Sequence, residues 1–366
     1  MTNNSSSGGG YKSSGGGYKS SGGGYRNSGG GYKSSGGGYR NSGGGYKSSG
    51  GGYKSSGGGY RNSVGGYRKL IQAYTLFKWF VGAKIFKHKK PLQSVIFITD
   101  RCNLQCRHCS VYNLDNPHVK TFDEIYAELQ YCYDLGAGFV DFEGGEPCLW
   151  NDNGRDINDL ITAAKQDIGF FSCTITTNAQ IPFQSNADSV WVSLDGIGKY
   201  HEQIRGNGTF ATLEQNIAKA NHKALSVNMV INTLNWESVA ETIEYVKHNP
   251  YIKSISLNFH TPFKGTEHLA LDMEKRREII DLIIKYKRKG YPIMNSVSGL
   301  KKMKHLSFKK QCWVTNFILS DGTKLEQCAG ATEGVCDRCG FCMAAEMNSV
   351  FNFCPDTILA GLKLRL

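Results

Sequence analysis

Three cysteines in the stretch TDRCNLQCRHCS, Cys102, Cys106 and Cys109, form a C-x3-C-x2-C pattern directly after the apolar run SVIFIT at 94–99. Three thiolates can hold three irons of a [4Fe–4S] cube and leave the fourth iron open to a substrate or cofactor. A zinc site would need a fourth ligand, and His108, adjacent to Cys109, is badly spaced to chelate with it. A second motif, FEGGEPC (Phe142–Cys148), ends the next apolar run. Gly144 and Gly145 permit close backbone approach there. Glu146 and the backbone around Pro147 offer acceptors for a cationic amino group; a tight turn before a helix is the alternative. The third feature is CAGATEGVCDRCGFC, from Cys328 to Cys342, with four cysteines in fifteen residues.

The chain has twelve cysteines and no secretory leader, so clustered thiols are expected to bind metal or do chemistry rather than pair as disulfides. Cys132, in LQYCYDLG, and Cys173, inside a strand pattern, read as buried fillers. Cys148 reads as packing at a helix start. His260, ending the last strand, is a candidate substrate contact or a cap on local backbone groups. No general-base pair or nucleophilic triad is evident.

The elements that must position these groups alternate. Strands are expected at 94–99, 138–142, 171–176, 189–194, 226–231 and 254–259. Helices fall near 155–167, 211–224, 238–248 and 272–289, and one starts at Thr121, where Thr121 and Glu124 fit a capping box. Short apolar strands alternating with amphipathic helices imply a parallel sheet. Six βα units are too few for an eight-stranded barrel. The expected fold is therefore α/β, a partial, open (β/α)6 TIM-like barrel with its site at the C-terminal ends of the strands.

Residues 1–67 are a seven-residue repeat of the type SSGGGYK, with nine tyrosines, eight Lys/Arg and no acidic residue. With no aliphatic residue before Val64 it is expected to be disordered. Tyrosine and lysine at regular spacing suit weak RNA or condensate contacts, a built-in peptide substrate, or a tolerated repeat expansion. Residues 68–90 read as a basic amphipathic helix with Leu70, Tyr74, Phe77, Val81 and Ile85 on one face. It either lies on an anionic membrane or packs across the base of the following domain, and two lysines make it no transmembrane span. The expected layout is tail 1–67, helix 68–90, barrel 91–300 and cysteine-rich extension 301–366.

In combination, C-x3-C-x2-C after strand one, GGEP after strand two, TTNA (Thr176–Ala179), VSLDG (Val192–Gly196) and NMVIN (Asn228–Asn232) resemble the radical S-adenosylmethionine (radical SAM) superfamily. The third motif usually ends in Gly, where this chain has Ala179. The resemblance implies a [4Fe–4S] cluster on Cys102, Cys106 and Cys109, with the amino and carboxylate groups of S-adenosylmethionine on its open iron. Gly144, Gly145, Glu146 and Pro147 would hold the methionyl amino group, and Asn178, Ser193 and Asn232 its carboxylate or ribose. One-electron reduction, by a flavodoxin- or ferredoxin-type donor, would release a 5′-deoxyadenosyl radical that abstracts hydrogen from substrate.

The segment CWVTNFILSDGTKLEQC, from Cys312 to Cys328, reads as a hairpin turning at Asp321-Gly322. With CDRCGFC it resembles the Twitch and SPASM extensions of that superfamily. This implies a second, auxiliary [4Fe–4S] cluster on ligands drawn from Cys312, Cys328, Cys336, Cys339 and Cys342, with zinc the alternative and Cys354 a further thiol. The function expected is peptide or protein modification in the cytoplasm. A lipid or isoprenoid substrate, with membrane contact through 68–90, is the second reading.

Overall fold

The computed structural model describes residues 60–109 and 117–365. The expectation for the repeat tail lies outside them, except that the first helix, α1 (Tyr60–Lys84), begins inside the last repeat.

All six expected strands form: β1 (Gln93–Phe97), β2 (Phe139–Glu143), β3 (Ser172–Thr177), β4 (Ser189–Ser193), β5 (Leu225–Ile231) and β6 (Ile255–Phe259). Each pairs in parallel with the next. Their period-two pattern explains the layering. Ile96, Phe142, Ile175, Val192, Val227 and Leu257 point outward into the main core. There they meet buried residues of α2 (Phe122–Leu135), α3 (Ile157–Thr162), α5 (Thr209–Ala220), α6 (Val239–His248) and α7 (Met273–Arg288). The alternate positions face inward and mix polar Asp141, Glu143, Thr176, Ser193, Asn228 and Asn258 with apolar Val95, Phe97, Trp191 and Val230. This is the expected partial barrel. The Thr121–Glu124 capping box opens α2, and left-handed Gly136 closes it. Cys132 and Cys173 are fully buried, as expected.

The expected hairpin also forms, as β7 (Thr315–Ile318) and β8 (Lys324–Leu325). It is not a separate appendage. β7 pairs in parallel with β1, Gln93 opposite Thr315, which extends six strands to an eight-stranded sheet among the described residues. Ser94 Oγ donates to Asn316 Oδ1 at 2.6 Å across that join. Elements without a sequence expectation are α4 (Lys199–Arg205), α8 (Val297–Met303), α9 (Ala329–Thr332), α10 (Cys342–Phe351) and α11 (Pro355–Arg365).

The face assigned to α1 requires correction. Trp79, Phe80 and Ala83 pack it against Trp313, Val314 and Phe351 in a second apolar cluster. Leu70, Tyr74, Phe77 and Ile85 lie on the opposite side and are 64–70% exposed. Trp79 lies 6.0 Å from both the Trp313 and Phe351 rings and Phe80 lies 5.6 Å from Phe351, so the helix docks by this ring cluster.

Candidate active site

The loop after β1 carries Cys102, Cys106 and Cys109, all partly buried. It is latched to the loop after β2: Gly145 N–H donates to Thr99 O at 2.7 Å, and Glu146 N–H to Arg101 O at 2.8 Å. A methyl group on Gly144 would sit 2.2 Å from Thr99 O, and one on Gly145 would sit 2.3 Å from Arg101 O. The two glycines thus allow the backbone of one motif to lie directly on the backbone of the other.

Glu146 is turned inward. Its Oε1 accepts from Thr177 Oγ1 at 2.7 Å and Cys148 N at 3.0 Å, and its Oε2 accepts from Asn178 N at 2.7 Å. Burial raises its pKa, against these hydrogen bonds. This carboxylate locks the ends of β2 and β3 together. Pro147 starts the short 3-10 turn Pro147–Leu149 behind it.

Asn178 remains at the thiols. Its Nδ2 lies 3.7 Å from Cys102 Sγ and donates to Asn103 Oδ1 at 2.7 Å. The next residue, Ala179, has φ 55, which explains why glycine suits that position. Ser193 ends β4 opposite Asn228 on the inner face. Asn232 is fully buried: its Oδ1 accepts from Leu234 N at 2.8 Å and its Nδ2 donates to Val230 O, which shapes the turn after β5. His260 Nε2 faces Thr266 O at 3.0 Å and caps a local turn.

Arg205, on α4, was missed in the sequence. Its Nε donates to Asp195 Oδ2 at 2.7 Å, and its Nη1 lies 3.7 Å from Cys106 Sγ. Burial alone would raise the fully buried Asp195 carboxyl; Arg205, His108, His201 and the Val230 amide outweigh it and hold the pKa down. Burial lowers His108 to about 4 and His201 to about 3, so both imidazoles are neutral. Asp195 lay in the quoted VSLDG motif, but no local signal tied it to an arginine on the next helix. Burial also raises the Cys102 and Cys106 thiols, while the Arg205 charge favours their thiolates.

On the inner face, Glu143 accepts from Thr176 Oγ1 at 3.4 Å. Burial, then the Asp141 carboxylate, raises it to about 7. Asn258 Nδ2 donates to Asn228 Oδ1 at 2.8 Å, and Asn258 Oδ1 accepts from Cys342 N at 2.9 Å.

The C-terminal cysteines separate into groups. Cys312 and Cys328 share a hydrogen bond that lowers Cys328 to about 6 and raises Cys312, whose charge neighbours include Cys336 and Cys339. Cys342 instead lies in the main core, where burial pushes it up to about 12 despite Arg276. Cys354 borders a pocket of about 360 Å³ with Lys301 and His305. Among the described residues no three His, Cys, Asp or Glu side chains converge at metal-ligand spacing. Both thiol sets are neighbours rather than formed coordination shells.

Residues 96–246 match the family model of the Radical SAM superfamily. A probable GTP 3′,8-cyclase of Methanocella arvoryzae is 28% identical over 195 residues, covering 51% of this chain and 64% of that protein. An Fe-coproporphyrin III synthase of Methanosarcina barkeri is 24% identical, covering 56% and 55%. The chain thus spans less than two thirds of the length of these relatives. Among solved structures, Streptococcus suis SuiB bound to S-adenosylmethionine superposes with TM-score 0.54 at 20% identity, covering 68% of this chain and 63% of SuiB. Native anSMEcpe with bound AdoMet and Kp18Cys peptide gives 0.51 at 16%, covering 75% and 83%. These two likenesses show the fold.

Proposed function

We propose that this chain, which carries a radical SAM domain over residues 96–246, is an iron–sulfur enzyme that cleaves S-adenosylmethionine reductively and modifies a peptide or protein. The family implies a [4Fe–4S] cluster, S-adenosylmethionine and an electron donor. The observation that carries the reading is the latch between the Cys102–Cys109 loop and Gly144–Gly145, with Asn178 and Arg205 at the thiols. These residues fit such a group: three thiols on one loop, with an amide and a guanidinium at their edges to offset thiolate charge. The chemistry the group supplies when bound is one-electron cleavage of S-adenosylmethionine to methionine and a 5′-deoxyadenosyl radical, which takes a hydrogen atom from substrate.

The chain's own residues do the rest. Cys102, Cys106 and Cys109 hold the cluster, and the backbone of Gly144 and Gly145 cradles the methionyl amino group. Ser193 and Asn178 contact the ligand's polar edge. Glu146 keeps the two rim loops in register. The inner face supports a polar substrate. Asp141 and Glu143 would repel a triphosphate, and with Thr176, Asn228 and Asn258 they set hydrogen-bonding groups among apolar Val95, Phe97, Trp191 and Val230 that an isoprenoid would leave unpaired. A peptide group fits this wall.

Cys312, Cys328, Cys336 and Cys339 are the ligands we assign to an auxiliary iron–sulfur centre. Cys342 is left out because its side chain is packed into the main apolar core, which Cys339 does not join. Anaerobic reconstitution tests both assignments. Changing Cys102, Cys106 and Cys109 to Ala should abolish 5′-deoxyadenosine and leave about four irons. Deoxyadenosine from that variant overturns the catalytic assignment, and absence of iron overturns the auxiliary one.

A further inference from the structure

Helix α1 has two apolar sides and the fold covers only one. Trp79, Phe80 and Ala83 face the extension. On the far side Leu70 is 70% exposed, Tyr74 66%, Phe77 65% and Ile85 64%. At helical spacing these four, with half-buried Val81, form a continuous stripe, and Phe86 continues it past the helix end at 63% exposure. An apolar helix side of this kind is expected to be covered in use.

Charge indicates by what. Residues 1–99 contain fifteen Lys/Arg and no Asp or Glu, whereas residues 100–366 carry twenty-eight Lys/Arg against thirty-one Asp/Glu. Exposed Lys78 borders the stripe, and exposed Lys87, Lys89 and Lys90 follow the helix. A second copy presenting the same side would bring like charges together. A flat anionic surface with an apolar interior satisfies both the stripe and the lysines. No described helix is long and apolar enough to cross a membrane, so the contact lies in the plane of the interface.

We propose that the Leu70–Tyr74–Phe77–Ile85 side of α1 is a docking surface for an anionic lipid bilayer. It seats the helix in the headgroup layer while Trp79 and Phe80 hold the enzyme to it. The inference is independent of the substrate and of the auxiliary centre.

Vesicle flotation of the full chain tests it. Vesicles of phosphatidylcholine with phosphatidylglycerol should carry the protein upward, phosphatidylcholine alone should carry far less, and high salt should release part of it. The triple variant Leu70→Ser, Phe77→Ser, Ile85→Ser should partition about tenfold less. Its substitutions all lie on the exposed side, so its circular dichroism and melting should match the parent. Flotation by the triple variant equal to the parent would mean that the basic residues alone bind, and would overturn the proposal. So would a stripe-dependent dimer in size-exclusion chromatography with no flotation of the parent.

Discussion

Glu143 and Glu146 stand three residues apart and do opposite work. Glu146 has three short hydrogen-bond donors on its two oxygens, and removing it strands buried donors on Thr177, Asn178 and Cys148. Glu146→Leu should cost about 2–4 kcal/mol in denaturant unfolding. Glu143 has one long contact and a pKa raised to about 7 by burial and Asp141. A raised carboxyl binds its proton more tightly folded than unfolded. It therefore favours the folded state below the unfolded value near 4.5, and that contribution is lost as pH rises through about 7. Melting from pH 5 to pH 8 should show the parent losing on the order of 1–2 kcal/mol relative to Glu143→Gln. An unchanged difference would place Glu143 in open solvent. The four residues GGEP were legible as a motif, but the direction of the Glu146 carboxylate was not, because it depends on where β3 ends.

At the level of elements, the rim is built from backbone laid on backbone. A Cβ on Gly145 would meet the Arg101 carbonyl at 2.3 Å, and a carbonyl of the latched main chain cannot step aside as a side chain can. Gly145→Ala should force the cysteine loop off β2, costing about 1–3 kcal/mol and most of the iron taken up at Cys102, Cys106 and Cys109. Iron counts on the reconstituted variant read this directly. At the end of β3, Ala179 already sits at φ 55, where a β-branched side chain is a genuine outlier. Ala179→Val should therefore destabilise by about 2 kcal/mol or more, whereas Val190→Ile, on an ordinary strand, should cost less. These elements were readable because period-two strands and a capping box are local signals. The α4 helix with Arg205, and the side by which α1 docks, were not. Each depends on partners far along the chain: Cys106 for Arg205, Trp313 and Phe351 for α1.

Over the whole molecule, the cysteine-rich segment and the barrel share one sheet. The sequence showed a hairpin at 315–328, but strand pairing between residues more than two hundred positions apart leaves no local trace. β7 covers the edge of β1, with Val95 opposite Phe317 and Ile96 opposite Ile318. Buried Asn316 bonds to Ser94 on β1 and touches Cys132 on α2. At the other end Gly340 N donates to Thr261 Oγ1 and Phe259 N to Gly340 O, so the Cys339–Cys342 segment is laid on the end of β6. The extension therefore grips the barrel at both edges of the open sheet, which brings its thiols to a fixed position relative to the rim whether or not they carry metal. A chain ending at residue 310 would expose the backbone of β1 along its length, and an uncovered edge of that kind pairs with other chains. Such a truncation should be recovered aggregated. The full-length Cys312→Ser/Cys328→Ser variant keeps β7 and should stay soluble and melt within about 2 kcal/mol of the parent, losing only the iron of the auxiliary centre we propose. A soluble, cooperatively melting truncation would show that the barrel closes without β7.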